Sequence, residues 1–406
     1  MQSNRIATAL VALGLIAGAC GGSGATASPT ATASTAATTS AAPKPPVKIG
    51  ALIPLTGPSG ATGQDMKEGY DLAIDQINAA GGVNGANVQM TYEDDKNDPA
   101  TAVASWEKLV NNDKVEIMVG GLSSTISLAL VEPAKKAQVP MAWTGAAASA
   151  FETGMKDQAY FFHYHPWDYM NGESNIAFLK STPYTRYAIA YEDGAFGTAS
   201  FAGFQVSLPA AGMSIVGSEK FKTGSTEFTA MLNRLKSSGA EGFIVVPYAA
   251  DMIPMLTQMK EVGWAPKLIF AAPPSWPANF EKSPVAEGVA AAALWTPDVA
   301  TDASKKFVAD FQKKYSKLPG SYWAPLAYTN LVTAIDALRK SGVGNKTAWI
   351  SAMEATSYAS PLGPTLKFTQ SKVVAHQGFT RLLAYQYQSG KVQIVFPADL
   401  ATAKLK

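Results

Sequence analysis

The stretch Gly120-Gly121-Leu122-Ser123-Ser124-Thr125 follows the apolar run Val115 to Val119. Glycines after a strand let backbone amides approach a bound group, and hydroxyls at a helix start can donate to an anion. Ser124 or Thr125 would equally cap the helix that follows, since both roles use one geometry. His163-Tyr164-His165 could set two imidazoles on one face of a strand. A metal would need a third or fourth ligand, and His376 is the only other histidine. A structural or cleft-lining role is therefore expected, with no metal. Glu93-Asp94-Asp95, with Asp98 nearby, lies just past a strand and is expected to solvate a loop and cap the next helix. Asp71 and Asp75 are one helical turn apart on a surface face, which argues against a catalytic pair. No G-x-S-x-G, Walker loop or G-x-G-x-x-G occurs, and no nucleophile has a base beside it. These residues suggest binding without catalysis and without a cofactor.

The elements around them alternate. Val47 to Ile53 reads as a buried strand ended by Pro54, Gly57, Pro58 and Gly60. Met66, Gly69-Tyr70, Ala73-Ile74 and Ile77 recur at helical spacing before Gly81-Gly82 stops the helix. A strand over Val88 to Tyr92, a helix after Pro99 and a strand over Val115 to Val119 complete a β-α-β-α-β run, the mark of an open parallel sheet. The rhythm restarts with strands at Tyr187–Tyr191, Ser214–Gly217, Phe243–Val246 and Lys267–Ala271, with helices between them. Gly288 to Trp295 reads as a further strand. Helical patterns follow at about 303–315 and 324–340. Phe379 to Tyr387 and Val392 to Phe396 flank Ser389-Gly390, a hairpin signal. Two doubly wound units facing each other would bind a ligand in the crevice beyond their strand ends and close around it by hinge motion.

Composition sets the outer limits. A chain of 406 residues suggests two or three domains at roughly 150 residues each. With 33 basic and 31 acidic side chains and no Lys/Arg block, there is no electrostatic footprint for nucleic acid. One cysteine excludes an internal disulfide framework. Arg5 is the only charge before Lys44, and the apolar run Ile6 to Ala19 falls short of the ~20 residues a bilayer-spanning helix needs. Residues 1–19 read as a signal peptide. Ala17-Gly18-Ala19-Cys20 resembles a bacterial lipobox with Cys20 as the lipidated residue; the alternative is an ordinary signal peptide with an incidental cysteine. The following segment to residue 46 has no large apolar side chain and reads as a disordered tether. At about 5–6 Å × √n it would reach roughly 25–30 Å.

IGALIPLTGPSGATGQDMKEGYDLAIDQINAAGGVNG, YEDDKNDPATAV, VGGLSSTISLA, YEDGAFGTASF, DFQKKYSKLPGSYWAPLAY and SPLGPTLKF together resemble the leucine/isoleucine/valine-binding proteins. These are type 1 periplasmic solute-binding components of ABC importers, and the resemblance runs over nearly all of residues 47 to 397. It implies an α/β fold of two doubly wound parallel-sheet lobes joined by three crossovers. Residues 47–165 would form the first lobe and 166–297 the second. Residues 298–376 would return to the first, and 377–406 would end in the second. It also implies a small-molecule ligand in the cleft, permease subunits as partners, a monomer, and an extracytoplasmic location, here with a lipid anchor.

By that resemblance, the loop of Ser123, Ser124 and Thr125 meets the ligand carboxylate. The next loop, Thr144 to Ser149, contributes Ala146 and Ala148; relatives often place a threonine where this chain has Ala148, so Ser149 substitutes or that bond is missing. Phe196 stands where many relatives carry tyrosine, and Tyr248 follows the strand ending at Pro247. Both read as an aromatic wall or as core packing. Relatives place an acidic residue near Ser275 and Trp276 to pair with a ligand ammonium, yet no acid lies between Glu261 and Glu281. A buried ammonium without a carboxylate is expensive. With Trp167, Trp276 and Phe196 nearby, an aromatic or branched carboxylate is expected over an α-amino acid. A sensory receptor of the same fold and, more remotely, a secreted α/β hydrolase are the alternatives.

Overall fold

The computed structural model describes residues 44–272 and 280–406. The expected signal peptide, Cys20, nearly all of the tether, Ser275 and Trp276 lie outside the described residues.

Five short strands build the first sheet: β1 (Val47–Ile53), β2 (Val88–Asp94), β3 (Ile117–Gly120), β4 (Met141–Trp143) and β5 (Phe161–His163). All pair in parallel, in the order β2-β1-β3-β4-β5. Side chains alternate across this sheet, as the strand period requires. Ile49, Ala51, Ile53, Ile117, Val119, Ala142 and Phe162 pack on one face, with Met66 and Tyr70 of the helix Gly60–Ala79 and Leu331 and Ile335 of the helix Trp323–Ser341. Leu52, Met118, Met141, Trp143 and Phe161 pack on the other, with Trp106, Ile126, Ala134 and Phe151. A sheet covered on both faces accounts for the nearly continuous apolar strands.

The second sheet holds β6 (Arg186–Glu192), β7 (Ser214–Phe221), β8 (Gly242–Val246), β9 (Leu268–Ala271) and β10 (Val289–Ala293), all parallel. After a small pair, β11 (Tyr358–Ala359) and β12 (Thr365–Leu366), the hairpin β13 (Leu383–Gln388) and β14 (Lys391–Phe396) adds two antiparallel strands beside β10. The order is β14-β13-β10-β9-β8-β6-β7. The chain passes between the sheets three times: after β5, after β10 and before β13. Two of these passages run side by side, with Gly378 N donating to His163 O at 2.8 Å and Phe379 N to Tyr164 O at 3.0 Å. That pairing explains why the hairpin strand begins at Leu383 rather than at Phe379, as the sequence pattern predicts.

The returning helices are fixed to the first sheet by buried polar bonds. Asn330 Nδ2 donates to Ala142 O at 3.0 Å, and the Tyr164 and Thr333 hydroxyls lie 2.6 Å apart. Asp65, on the helix Gly60–Ala79, accepts from Gly320 N (2.9 Å), Ser321 Oγ (2.6 Å) and Ala324 N (3.2 Å). Burial pushes its carboxyl up to about 6. One turn on, Gly69 lets the two helix backbones touch: a Cβ there would lie 2.1 Å from Ala324 O.

Gly69→Ala should therefore destabilise the fold by about 1–3 kcal/mol through overpacking, although an open helical Gly→Ala exchange normally adds about 0.5–1 kcal/mol. Gly203, in the helix Ala195–Ala210, has nothing within 4 Å of its Cβ position. Gly203→Ala should be neutral or stabilising, and denaturant melts of both variants check the contrast.

Candidate functional site

Loops leaving the carboxyl ends of the strands converge on one apolar space between the two sheets. It is lined by Leu122 after β3, Ala146 and Ala147 after β4, His165 after β5, Phe196 after β6 and Tyr248 after β8; Tyr322 and Trp323 complete the wall. The unfilled space is about 310 Å³, part of it continuous with solvent. This is where open α/β sheets take ligands, because strand ends and helix starts present unpaired backbone groups there.

Gly120 and Gly121 both adopt positive φ at the end of β3, and a Cβ on Gly121 would lie 2.0 Å from the Trp143 ring. This close approach seats the following hydroxyls. Ser124 opens the helix Ser124–Ala129, and its Oγ accepts from Ala147 N and Ala148 N, both at 3.1 Å. Two acceptor positions are filled, so the Ser124 proton remains free to donate. Ala146 carries a positive φ of 70°, a strained conformation for alanine. Ala146 N donates to Leu122 O at 3.1 Å, while Ala146 O and Gly145 O accept from His163 Nε2 at 2.9 and 2.8 Å. Burial pushes the His163 pKa down to about 4, against the opposing pull of these oxygens and Gln377 Oε1.

The expected site residues separate into groups. Ala146, Phe196 and Tyr248 line the pocket, the last two with ring centroids 5.9 Å apart. Ser123 and Ser124 are buried beside it, with the Tyr248 hydroxyl 3.5 Å from Ser123 Oγ. Ala148 contributes its N–H to Ser124. Thr125 stands at the rim, where its Oγ1 accepts from Ala195 N of the second lobe at 3.0 Å. Ser149 is turned away: its N–H and hydroxyl both donate to Asp168 Oδ2. Trp167 is packed in the first lobe's core against Phe151, stacked on His163 with centroids 3.7 Å apart.

Residue-by-residue reading did not single out Leu122, Ala147, Tyr322 or Trp323 as wall. For the last two, the available signal was the Ser-Tyr-Trp-Ala-Pro run directly opening a long helix. Tyr322 and Trp323 stack on each other at 4.9 Å, and Trp323 lies parallel to His165 at 5.2 Å. His163 and His165 sit at a passage between the lobes; among the described residues there is no group of three or more His, Cys, Asp or Glu that could hold a metal ion. Asp98 caps the helix Pro99–Glu107 through Thr101 N at 2.7 Å, and Asp94 accepts from Leu55 N at 2.8 Å.

Among the described residues no acidic side chain lines the pocket. Glu192 and Asp251 lie behind Tyr248 and hold backbone instead. Glu192 accepts from Gly194 N and Gly197 N, both at 2.5 Å, and Asp251 accepts from Tyr248 N and Gly224 N, both at 2.8 Å. Asp95 is buried too, with Asn97 N on one oxygen and, among the described residues, no partner on the other. Burial raises all three, Asp95 and Asp251 to about 6.

A family model described as periplasmic binding protein matches residues 46–391. The chain belongs to that family. Among curated periplasmic binding proteins of this kind, Leu/Ile/Val-binding protein homolog 7 of Brucella abortus is 24% identical over 383 residues, 89% of this chain and 94% of the relative. A solute-binding protein from R. palustris, solved in complex with benzoate, superposes with a TM-score of 0.77 at 17% identity, covering 86% of this chain and 95% of its own. The branched-chain amino acid binding protein LivJ of Streptococcus pneumoniae, solved with isoleucine, gives 0.75 at 23% identity, covering 87% and 100%. These likenesses establish the two-lobed α/β fold.

Ser124, beside the pocket, and His165, in its wall, each give a stability test. Ser124→Ala strands the Ala147 and Ala148 N–H groups, which should cost about 1–3 kcal/mol of stability, read by thermal melts. His165 is buried, which depresses its pKa from 6.5 to about 3. The unfolded chain therefore takes up this proton below pH 6.5 while the fold does not, and stability falls as pH drops from there. His165→Gln removes that loss, so its stability relative to the parent should improve by about 2 kcal/mol between pH 7.5 and 5 in paired denaturant titrations.

Proposed function

We propose that the chain is the extracytoplasmic solute-binding component of an ABC importer and traps a small carboxylate with a flat, apolar body. The observation that carries this reading is the composition of the pocket wall: four aromatic residues and a neutral histidine, with no acidic side chain. A ligand ammonium brought there would lack a carboxylate partner, at a cost of several kcal/mol. A carboxylate fits better. The first-lobe loop offers the free Ser124 proton and backbone N–H groups after Gly121, and hydroxyls with N–H groups at a helix start suit an anion. The aromatic rings supply flat apolar area for an aromatic or branched body.

The Brucella relative's name and the isoleucine complex point toward a branched-chain amino acid, and the benzoate complex points toward a ring carboxylate. The wall chemistry favours the second. Membrane permease subunits would receive the solute, a lipid on Cys20 would hold the body at the membrane surface, and a monomer suffices for the cleft.

Isothermal titration calorimetry of benzoate, a branched 2-keto acid and leucine tests the ligand class. The carboxylates without an ammonium group should bind at least about tenfold tighter than leucine, a difference of ~1.4 kcal/mol. Nanomolar leucine binding would end the reading.

A further inference from the structure

Hydrogen-bond polarity in the pocket wall is fixed from behind. His165 Nδ1 lies 2.8 Å from Pro166 O, and a carbonyl can only accept, so Nδ1 carries a proton. The ring is buried, stacked against Trp323, and has no carboxylate bonded to it, so it remains neutral. Nε2 then holds a lone pair. Its partner is the Tyr322 hydroxyl at 3.2 Å, which must donate to it. That bond takes the one proton of the phenol, which itself stays protonated because burial raises its pKa. Toward the pocket it lines, the Tyr322 oxygen can only accept. The neighbouring wall residue, Trp323, is 5% exposed and carries a buried Nε1–H with no partner among the described residues.

We propose that Tyr322, held as an acceptor by His165, reads a hydrogen-bond donor on the ligand, so that the site selects a hydroxylated ring carboxylate over its unsubstituted or methoxylated counterpart. This deepens the ligand reading above and rests on it. A hydroxyl group suits both side chains, since it donates to the Tyr322 oxygen and can accept from an indole N–H. A methoxy group would set an oxygen lone pair against the Tyr322 oxygen. An unsubstituted ring would leave the Tyr322 oxygen's accepting lone pair and the Trp323 N–H unused in a desolvated site, and unmade buried bonds are the main source of such discrimination.

The test is calorimetry of benzoate, 3- and 4-hydroxybenzoate and their methoxy counterparts, against the parent protein and Tyr322→Phe. The better hydroxybenzoate should bind the parent at least about tenfold tighter than benzoate, with its methoxy counterpart no tighter than benzoate. In Tyr322→Phe that preference, taken as the ratio of the two affinities within the same variant, should shrink to about threefold or less. A preference that survives in Tyr322→Phe, or a methoxy ligand as tight as the hydroxy one, overturns the proposal. Long-range ¹H–¹⁵N correlation of the free protein reads the relay without any ligand. His165 should show a protonated Nδ1 and a bare Nε2, and a proton on Nε2 overturns the proposal as well. If no ring carboxylate binds, the ligand class fails and takes this proposal with it; if they bind without discrimination, only this proposal fails.

Discussion

The junction between the helices Gly60–Ala79 and Trp323–Ser341 is the constraint on which the site depends. More than 250 residues separate Asp65 from the chain it holds. Yet one carboxylate gathers Gly320 N, Ser321 Oγ and Ala324 N, and so fixes the start of the second helix. Gly69 removes the one Cβ that would keep the backbones apart. Desolvating Asp65 works against its charge, and three donors compensate for that. What the fold gains is position: Tyr322 and Trp323 fall between the anchored residues and are presented to the cleft from the first lobe. Without that junction the pocket would lose one wall and His165 its partner.

A second consequence concerns charge. Three buried carboxylates, Asp95, Glu192 and Asp251, lie close enough to Tyr248 to act on its hydroxyl, and two of them organise backbone at the ends of β6 and β8. Glu192 draws in the N–H groups that begin the helix Ala195–Ala210, and so sets Phe196 in the wall. Asp251 reaches back to Tyr248 N at the start of the helix Ala249–Glu261, and so sets Tyr248. Acidic side chains thus shape an apolar wall without entering it. This is the physical content behind the missing acid near residue 275: the charges are present in the second lobe but already engaged.

The alternation of strands and helices was legible because most strands are long enough to show an unbroken apolar run between turn residues. β4 and β5 were not, since three residues each, Met-Ala-Trp and Phe-Phe-His, carry no period. The helix Lys346–Glu354 was missed for a similar reason, having only Trp349 and Met353 as buried anchors. At the site, the Gly-Gly-Leu-Ser-Ser-Thr loop could be located from type and spacing. What could not be read was direction. Ser149 looked like a substitute hydroxyl but faces Asp168, and Trp167 looked like a wall but stacks on His163. The orientation of each depends on a residue elsewhere in the chain, which no local pattern encodes. The Tyr322–His165 bond spans 157 positions and is of the same kind.

Backbone N–H groups of the second lobe also reach first-lobe acceptors beside the cleft. Ala195 N donates to Thr125 Oγ1 at 3.0 Å and Ala250 N to Pro58 O at 3.3 Å. Both donors lie in the first turn of a second-lobe helix, where N–H groups have no partner within their own helix. The lobes therefore meet through groups that need an acceptor in any case and that water can supply when the lobes part. Each such neutral bond is worth only about 0.5–1.5 kcal/mol net. No ion pair joins the lobes at these two points, so salt should affect closure little. Where the lobes meet through a few weak, neutral bonds, contacts made by a bound ligand would outweigh them. In such a balance a bound solute would shift an open–closed equilibrium by its differential affinity for the two states.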